Sequence, residues 1–175
     1  MRIIAGRWGG RRLRPVKGKG IRPTTDRVRE SWMAALGGEL QDARVLDLFA
    51  GSGALGLEAL SRGARHVTFV EKARGALSTL QENIEALGAR DSVTVVRGDA
   101  MAFVRKLEVG AFDLALADPP YDGPFAHRLL SHFAEIPFAR VLWVEHRSKE
   151  SMPELPGLRQ RRYGDTTLSI IARDE

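Results

Sequence analysis

The sequence Asp118-Pro119-Pro120-Tyr121 combines a carboxylate, two rigid residues and an aromatic ring, and these parts fit the binding of a planar amine. An exocyclic amine on a base is a poor nucleophile because its lone pair is delocalised into the ring. Hydrogen bonds from its two N–H groups to the Asp118 carboxylate and to a proline carbonyl would favour a pyramidal nitrogen with its lone pair available. The Tyr121 ring would stack on the base, an interaction worth about 1–3 kcal/mol in single-strand binding.

A structural alternative for this motif is a rigid turn, in which the prolines end a strand and Tyr121 packs against the core. The functional interpretation is favoured because it gives each of the four residues a role. If the methyl donor is a sulfonium, its positive charge already activates the methyl group. Catalysis then needs mainly in-line placement of the amine nitrogen at about 3–3.5 Å from the methyl carbon and exclusion of water. The motif therefore predicts methyl transfer to a base amine.

A second group of residues is typical of a nucleotide-cofactor site. Gly51-Ser52-Gly53-Ala54-Leu55-Gly56 matches the pattern G-x-G-x-x-G, and Glu71, which can accept ribose hydroxyls, follows about twenty residues later. This pattern alone also allows an NAD-type oxidoreductase. Asp47 favours S-adenosylmethionine, since a carboxylate beside the turn suits a cationic amino-acid moiety better than a pyrophosphate. No residue types that suggest hydride chemistry follow. Asp99 is either an N-cap or an adenine-binding residue, and both interpretations stay open.

These residues follow the strands of a predicted α/β sheet. Apolar runs predict strands at 45–49, 67–70, 93–96, 112–117 and 141–144, and helical stretches alternate with them at 54–62, 73–87, 100–108 and 124–134. The alternation predicts a mostly parallel, Rossmann-like sheet, and residues 158–163 and 166–173 predict a C-terminal antiparallel hairpin around Gly164-Asp165. Ligands bind beyond the carboxyl ends of such strands. We therefore expect the acidic residues at four strand ends to form one site.

The charge of the first 30 residues indicates that the chain begins with a basic arm. They carry ten basic and two acidic side chains, a net charge of +8, whereas the whole chain has +5 and residues 31–175 therefore −3. Strands at 2–5 and 11–16 around Gly9-Gly10 would form a hairpin, and Thr24-Thr25-Asp26 offers N-caps for a helix with apolar residues at Val28, Trp32, Leu36 and Leu40. Such a charge distribution is typical of a polyanion-binding segment. We divide the chain into this arm, residues 1–23, and a catalytic domain, residues 24–175.

Composition excludes several other functions. The chain has no cysteine, so disulfides, thiolate metal sites and C5 methylation of a pyrimidine through a thiolate nucleophile are excluded. The four histidines show no metal-ligand spacing, and we expect no metal. No apolar run reaches membrane-spanning length and the first residues do not form a secretory signal. We expect a cytoplasmic protein that does not bind membranes.

Taken together, these motifs resemble those of a known family. The segment from Asp47 to Ala64, DLFAGSGALGLEALSRGA, together with Asp118-Pro119-Pro120-Tyr121, is similar to the RsmD family of bacterial 16S rRNA guanine-N2 methyltransferases. The opening Met1-Arg2-Ile3-Ile4-Ala5-Gly6, then Gly10-Arg11, Arg22-Pro23-Thr24 and the segment from Asp26 to Glu30 also resemble that family. The similarity extends over nearly the whole chain and is looser after Tyr121.

The resemblance implies a class I S-adenosylmethionine-dependent methyltransferase fold and assigns site residues. The loop from Asp47 to Gly53 would hold the methionine part of the cofactor, Glu71 the ribose and Asp99 the adenine edge. The cofactor set is therefore Asp47, Phe49, Ala50, Gly51, Ser52, Gly53, Glu71, Lys72, Asp99 and Ala100. The catalytic set is Asp118, Pro119, Pro120 and Tyr121. The RNA-binding set is Arg2, Arg7, Arg11, Arg12, Arg14, Lys17, Lys19, Arg22 and Arg27.

The family is understood to act on small-subunit rRNA within an assembling ribosomal particle, so we expect that partner and a monomeric enzyme. A DNA or RNA adenine-N6 methyltransferase is the alternative, because the same motif serves any planar exocyclic amine. DNA enzymes of that kind usually need a further domain that reads duplex sequence, whereas an enzyme that takes an unpaired or flipped base needs less. A non-catalytic RNA-binding protein is the third possibility, and an incomplete motif would favour it.

Overall fold

A computed structural model of the chain describes residues 1–18 and 26–175 and shows a seven-stranded sheet with helices on both faces. The strands are β1 (Arg44–Leu48), β2 (His66–Glu71), β3 (Val93–Arg97), β4 (Phe112–Ala117), β5 (Ala139–Arg147), β6 (Arg159–Tyr163) and β7 (Thr166–Ala172). The helices are α1 (Asp26–Leu36), α2 (Ala54–Ser61), α3 (Arg74–Leu87), α4 (Ala100–Val104) and α5 (Phe125–Glu135). Short 3₁₀ helices lie at Gly37–Leu40 and Arg90–Ser92.

The strand order is β3-β2-β1-β4-β5-β7-β6, and all pairs from β3 to β5 are parallel, whereas β7 is antiparallel to β5 and to β6. The predicted parallel sheet and C-terminal hairpin are therefore confirmed. The chain first adds strands on one side of β1 and then continues from β4 on its other side. The order thus reverses between β1 and β4, which is where open α/β sheets bind ligands.

The two faces of the sheet have separate apolar cores. One contains Val45, Leu114 and Trp143 of the sheet and is covered by α1, α2 and α3. The other contains Leu46 and Leu142 and is covered by α4 and α5. Because both faces are covered, the central strands are mostly apolar, as expected for a parallel sheet, and Asp47 of β1 is a buried exception. Within the described ranges, no helix is both long enough and apolar enough to span a membrane.

The N-terminal hairpin docks on the first of these faces. Ile3 and Leu13 are buried in the core that α1, α2 and α3 cover. Glu58 of α2, fully buried, accepts hydrogen bonds from the backbone N–H groups of Ile4 (2.9 Å) and Ala5 (3.1 Å). Arg29 is also fully buried; its guanidinium donates to the carbonyl of Arg2 and lies 3.9 Å from the Glu58 carboxylate. The arm is thus anchored by buried polar groups.

The predicted arm strands at 2–5 and 11–16 are wrong in extent. Only Arg2 and Arg12 form a β-bridge within the described part of the arm, supported by bonds from the Ile3 N–H to the Arg11 carbonyl and from the Leu13 N–H to the Met1 carbonyl. The pairing goes no further toward the turn than the bond from the Gly10 N–H to the Ile3 carbonyl. The Ala5 N–H, which a longer ladder would use, donates to Glu58. Arg29, counted with the basic arm, is buried and cannot contact RNA.

Other elements differ from the prediction at their ends. Helix α4 ends at Val104 and not near residue 108, because the N–H groups of Lys106 and Leu107 bond three residues back and tighten the turn. Strand β5 extends from Ala139 to Arg147, well beyond the predicted 141–144, since β7 pairs with it from Val141 to Arg147. The N-cap candidates Thr24 and Thr25, and the proposed domain boundary at residue 23, lie outside the described residues.

We predict that Glu58→Ala lowers the free energy of unfolding by about 3–5 kcal/mol, because it removes the buried carboxylate beside the Arg29 guanidinium, which keeps its pair with Asp26 (2.9 Å), and leaves two arm amides without their acceptor. Urea denaturation measures the change. The matched control is Glu82→Ala, which removes a half-exposed carboxylate that pairs with Arg14 at 3.1 Å; it should change stability by less than about 1 kcal/mol. Equal effects of the two substitutions would contradict the anchoring role.

Candidate active site

The carboxyl ends of β1 and β4 lie side by side at the point where the strand order reverses. The register pairs Leu48 with Ala117, so the chain leaves the sheet at the same level after both strands. Phe49 follows β1 in the left-handed region, with φ of 58°, which is uncommon for a bulky residue. Its ring makes an edge contact with Phe125 of α5, at 5.6 Å between centroids. The sheet therefore brings the glycine loop and the Asp118 motif to one edge.

The segment with the pattern G-x-G-x-x-G, which comprises the end of the glycine loop and the start of α2, needs glycine at two positions for steric reasons. Gly53 has φ of 84°, and a Cβ there would lie 2.3 Å from Cδ1 of Leu80. A Cβ on Gly56 would lie 2.4 Å from Cε1 of Phe69, which is on β2. These contacts show that α2 and α3 pack directly against the loop and the sheet. The shape of this segment is thus constrained by the core residues packed against it.

Two carboxylates hold this loop through its backbone. Asp47 Oδ2 accepts a hydrogen bond from the Gly56 N–H at 2.9 Å, at the start of α2. Glu71 Oε1 accepts from the Gly51 N–H at 3.0 Å, and its Oε2 accepts from the Ala73 N–H at 2.8 Å. A carboxylate has about four acceptor positions, so Glu71 keeps acceptor capacity beyond these two bonds.

Asp47 lies in an unfavourable place for a negative charge. Its side chain is 1% exposed, and burial raises its pKa well above the ordinary value. The hydrogen bond from Gly56 opposes this rise, and the nearby carboxylates of Asp118 and Glu71 add to it. The site therefore has an excess of negative charge that a cationic group would compensate.

Asp99 caps a helix, as one of its two predicted interpretations requires. Its Oδ1 accepts from the Ala102 N–H at 2.8 Å at the start of α4, and Ala100 is buried behind it. The Asp99 side chain is exposed at the same edge as Glu71, since β3 pairs with β2 in parallel and Arg97 is opposite Glu71. Lys72 is exposed after β2. Capping is thus observed, and adenine recognition stays a prediction.

The Asp118 motif has one buried and one exposed proline, Pro119 and Pro120, and a half-buried Asp118. The Tyr121 hydroxyl donates to Oε1 of Glu145 at 2.9 Å. Burial raises the pKa of Tyr121 to about 12; a hydrogen bond with Thr166 opposes the rise and the Glu145 carboxylate adds to it. The phenol therefore stays protonated at neutral pH and serves as a donor that fixes the ring.

The predicted RNA-binding residues of the arm have different surroundings. Three of them contact the protein itself: the Arg7 guanidinium lies 4.1 Å from the centre of the Trp8 ring, Arg11 donates to the Ala86 carbonyl, and Arg14 pairs with Glu82. These three are exposed nonetheless, and so are the other described members, namely Arg2, Arg12, Lys17 and Arg27. Lys19 and Arg22 lie outside the described residues. No group of three or more potential metal ligands occurs in residues 1–18 and 26–175.

The comparisons with known proteins give the family. The family model described as conserved hypothetical protein 95 matches residues 1–172. Ribosomal RNA small subunit methyltransferase D of Escherichia coli (strain K12) is 37% identical over 159 residues, which cover 89% of this chain and 79% of that protein.

The chain belongs to the RsmD family.

Solved structures agree with this membership. A hypothetical protein of Thermus thermophilus superposes with a TM-score of 0.82 at 27% identity over 99% of each chain. An RNA methyltransferase of Salinibacter ruber, solved in complex with S-adenosyl-L-homocysteine, superposes with a TM-score of 0.65 at 14% identity, covering 86% of this chain and 93% of that one. The second likeness concerns the fold alone. The predicted Rossmann-like methyltransferase fold is confirmed.

Sequence reasoning missed several residues of this RsmD-family chain that support the site. Asn83 of α3, 1% exposed, accepts from the Arg14 N–H (2.8 Å) and donates to the carbonyls of Arg14 and Ser52 (3.0 Å each), so it joins the arm to the glycine loop. Glu58 is the charged residue of the mostly apolar helix α2. That position was the feature of the sequence that could have indicated its buried role. Glu145 and Arg147 come after the predicted end of the fifth strand at residue 144 but belong to β5, and a longer predicted strand would have included them.

We predict that the Asp47→Asn variant becomes more stable relative to the wild type as the pH rises. The pKa of Asp47 is raised in the folded protein, so its contribution to stability is present below the unfolded pKa and is lost as the pH rises through the folded one. The variant keeps an oxygen that can accept from Gly56 and does not ionise. Urea denaturation measures the free energy of unfolding of both proteins. The value for the variant minus the value for the wild type should increase from about pH 4 to pH 8. A constant difference over this range would contradict the assignment.

Proposed function

We propose that this chain transfers a methyl group from S-adenosylmethionine to the exocyclic N2 amine of a guanine in small-subunit rRNA. Its family and a relative named as a small-subunit rRNA methyltransferase support the reaction class and the substrate. The observation that carries the proposal is the convergence at one sheet edge of a carboxylate-held glycine loop and the Asp118-Pro119-Pro120-Tyr121 motif. The choice of guanine N2 rests on the family resemblance.

The donor set of the loop fits S-adenosylmethionine. Asp47, Glu71 and Asp118 are close enough for the last two to raise the pKa of the first, and this negative field attracts a cation and repels a pyrophosphate. S-adenosylmethionine carries an ammonium and a sulfonium, whereas a dinucleotide carries two phosphates. The field therefore favours the methyl donor over NAD.

Each residue then has a role in holding the cofactor. Asp47 and the loop from Phe49 to Gly53 would hold the methionine part, Glu71 would accept the ribose hydroxyls, and Asp99 would meet the adenine edge. When bound, the cofactor supplies a methyl group already activated by the positive sulfur. The protein contributes orientation, exclusion of water and a negative field that matches the cation.

The Asp118 motif would hold the target amine. The Asp118 carboxylate and a carbonyl of the proline pair accept the two N–H groups, which directs the nitrogen lone pair toward the donor side of the edge. Tyr121 provides a ring for the base, and its hydroxyl is committed to Glu145 at 2.9 Å, so the ring is held in place. The prolines restrict the backbone, which keeps the carbonyl direction constant.

The substrate side of the proposal uses the arm. Arg2 and Arg12 face each other across the β-bridge and are exposed, and Lys17 is exposed nearby in sequence. Cations on a docked, ordered hairpin can bind phosphates without the cost of ordering a disordered tail. We include in the proposal an assembling ribosomal particle as the partner, a monomeric enzyme and a cytoplasmic location.

The direct test incubates the protein with S-adenosylmethionine and small-subunit rRNA, both naked and in particles, from cells that lack the modification. Mass spectrometry of the nucleosides should show N2-methylguanosine at one position. N6-methyladenosine instead would support the adenine alternative. Failure to methylate either form of the RNA would overturn the proposal and favour a non-catalytic RNA-binding protein.

We predict that Asp118→Ala abolishes methyl transfer, at least about a hundredfold in kcat, because the amine loses the acceptor that orients it. Calorimetric titration with S-adenosylhomocysteine should give a dissociation constant within about threefold of the wild type, a change of less than about 1 kcal/mol. The matched control is Asp122→Ala, which removes an exposed carboxylate four residues later and should retain activity. Parallel loss of activity and cofactor affinity in Asp118→Ala would contradict the amine-binding role.

We predict that Glu71→Ala raises the dissociation constant of S-adenosylhomocysteine at least about tenfold, since a hydrogen bond to a charged group contributes about 1.5–3 kcal/mol. Glu71 also accepts hydrogen bonds from the backbone of Gly51 and Ala73, so the substitution could weaken binding by disturbing the loop. A double-mutant cycle with 2′-deoxy-S-adenosylhomocysteine separates the loss of the ribose contact from this disturbance. The wild type should bind the analogue more weakly than S-adenosylhomocysteine, whereas the variant should bind the two with nearly equal affinity. Additive losses would reassign Glu71 to the loop alone.

A further inference from the structure

The end of β5 carries charged residues beside the Asp118 motif that the proposed function does not yet use. The β4–β5 register pairs Ala117 with Val144, so the three residues after Val144 run alongside the chain that follows Ala117. These residues belong to the strand, because β7 pairs with β5 as far as Arg147 and Thr166. Arg147 is therefore held by a strand backbone at the carboxyl edge, next to the target-amine motif.

Arg147 also contacts the motif directly. Its guanidinium carbon lies 5.0 Å from the centre of the Tyr121 ring, a cation–π distance. Glu145, two residues earlier on the same strand, accepts the Tyr121 hydroxyl. One end of β5 thus holds Tyr121 by its hydroxyl and by one ring face, and the Arg147 side chain is exposed to solvent.

An open cleft of about 560 Å³ begins at this contact. Its lining includes Tyr121, Pro124, His127, Arg147, Lys149 and Glu150. Pro124 and His127 belong to the start of α5, which packs on the face of the sheet opposite to the one that carries the arm. The cleft and the arm therefore lie on opposite faces of the sheet, and Asn83 joins the Arg14 end of the arm to the glycine loop at the carboxyl edge.

The positive charges of the cleft can offset the repulsion between the acidic site and the phosphates of an RNA strand. Asp47, Glu71, Asp99 and Asp118 lie along the edge and repel the phosphates of an RNA strand. A target nucleotide can be kept at Asp118 only if cations bind the phosphates on its sides. Arg147 and Lys149 supply two exposed cations there, and Glu150 supplies one opposing charge.

We propose that Arg147 and Lys149 bind backbone phosphates of the rRNA strand beside the target nucleotide, so that the strand is held by the arm on one face of the sheet and by this cleft on the other. This inference rests on the proposed function, because it names the path of the same substrate. Arg147 has a second role in it, since its contact with Tyr121 places a phosphate-binding group next to the ring that receives the base.

The test compares two double variants that remove the same charge from different edges. Arg147→Gln/Lys149→Gln changes the cleft, and Arg140→Gln/Lys106→Gln changes exposed residues at the start of β5 and in the segment that leads to the start of β4. Binding to unmodified small-subunit rRNA is measured as a function of KCl concentration. The cleft variant should lower the log–log slope by roughly 1.4, for two phosphate contacts on a single strand, and the control variant should leave it nearly unchanged.

Further arms of the experiment locate the effect. Arg2→Gln/Arg12→Gln should lower the slope independently, and its effect should add to that of the cleft variant because the surfaces are separate. Glu150→Gln should strengthen RNA binding. S-adenosylhomocysteine should bind the cleft variant as it binds the wild type, which shows that the fold and the cofactor site are intact.

The outcomes distinguish the two proposals. If the wild type methylates rRNA and the cleft and control variants show equal slopes, the cleft does not bind phosphates and only this inference is overturned. If the wild type neither binds nor methylates rRNA, the proposed function fails and the inference fails with it. Methylation of rRNA by the wild type, together with a slope that is lower in the cleft variant than in the control variant, supports both.

Discussion

Two carboxylates that accept hydrogen bonds from backbone amides hold the glycine loop, and the rest of the site depends on them. Asp47 fixes the start of α2 through Gly56, and Glu71 fixes the loop itself through Gly51. Both acids stand at the ends of adjacent parallel strands, so the sheet determines where the loop lies. The charge of Asp47 is costly, because burial raises the pKa of this carboxyl well above its ordinary value. A ligand that brings positive charge removes this cost, and a methyl donor with a positive sulfur does so where the reaction occurs.

The same negative field makes an RNA substrate difficult to hold, and the RNA-binding roles proposed for the basic residues address this difficulty. The N-terminal hairpin is docked through buried Glu58 and Asn83, and Asn83 also binds the carbonyl of Ser52 in the glycine loop. The arm is therefore a fixed surface whose exposed arginines stand on one side of the acidic edge. Arg147 and Lys149 stand on the other side. Cations that flank a carboxylate-rich centre reconcile a polyanionic substrate with a cationic cofactor.

Much of the fold and of the site could be predicted because the signals are local. Apolar runs located the strands, and the rule that ligands bind beyond carboxyl ends placed Asp47, Glu71, Asp99 and Asp118 together. The end of β5 was missed because Glu145 and His146 are polar yet buried, at 3% and 1% exposure. Their partners, Tyr121 and Ser169, lie more than 20 residues away and give no local signal. The arm strands were overestimated for the same reason, since Glu58, more than 50 residues distant, takes two of their amides.

A crystal structure of the protein with S-adenosylhomocysteine tests the central claim most directly. We expect that the amino-acid moiety lies beside Asp47, that the ribose hydroxyls donate to Glu71, and that the sulfur faces a cavity bordered by Asp118 and Tyr121 that is wide enough for a base. A sulfur that faces away from Asp118, or an Asp118 side chain that borders no such cavity, would contradict it.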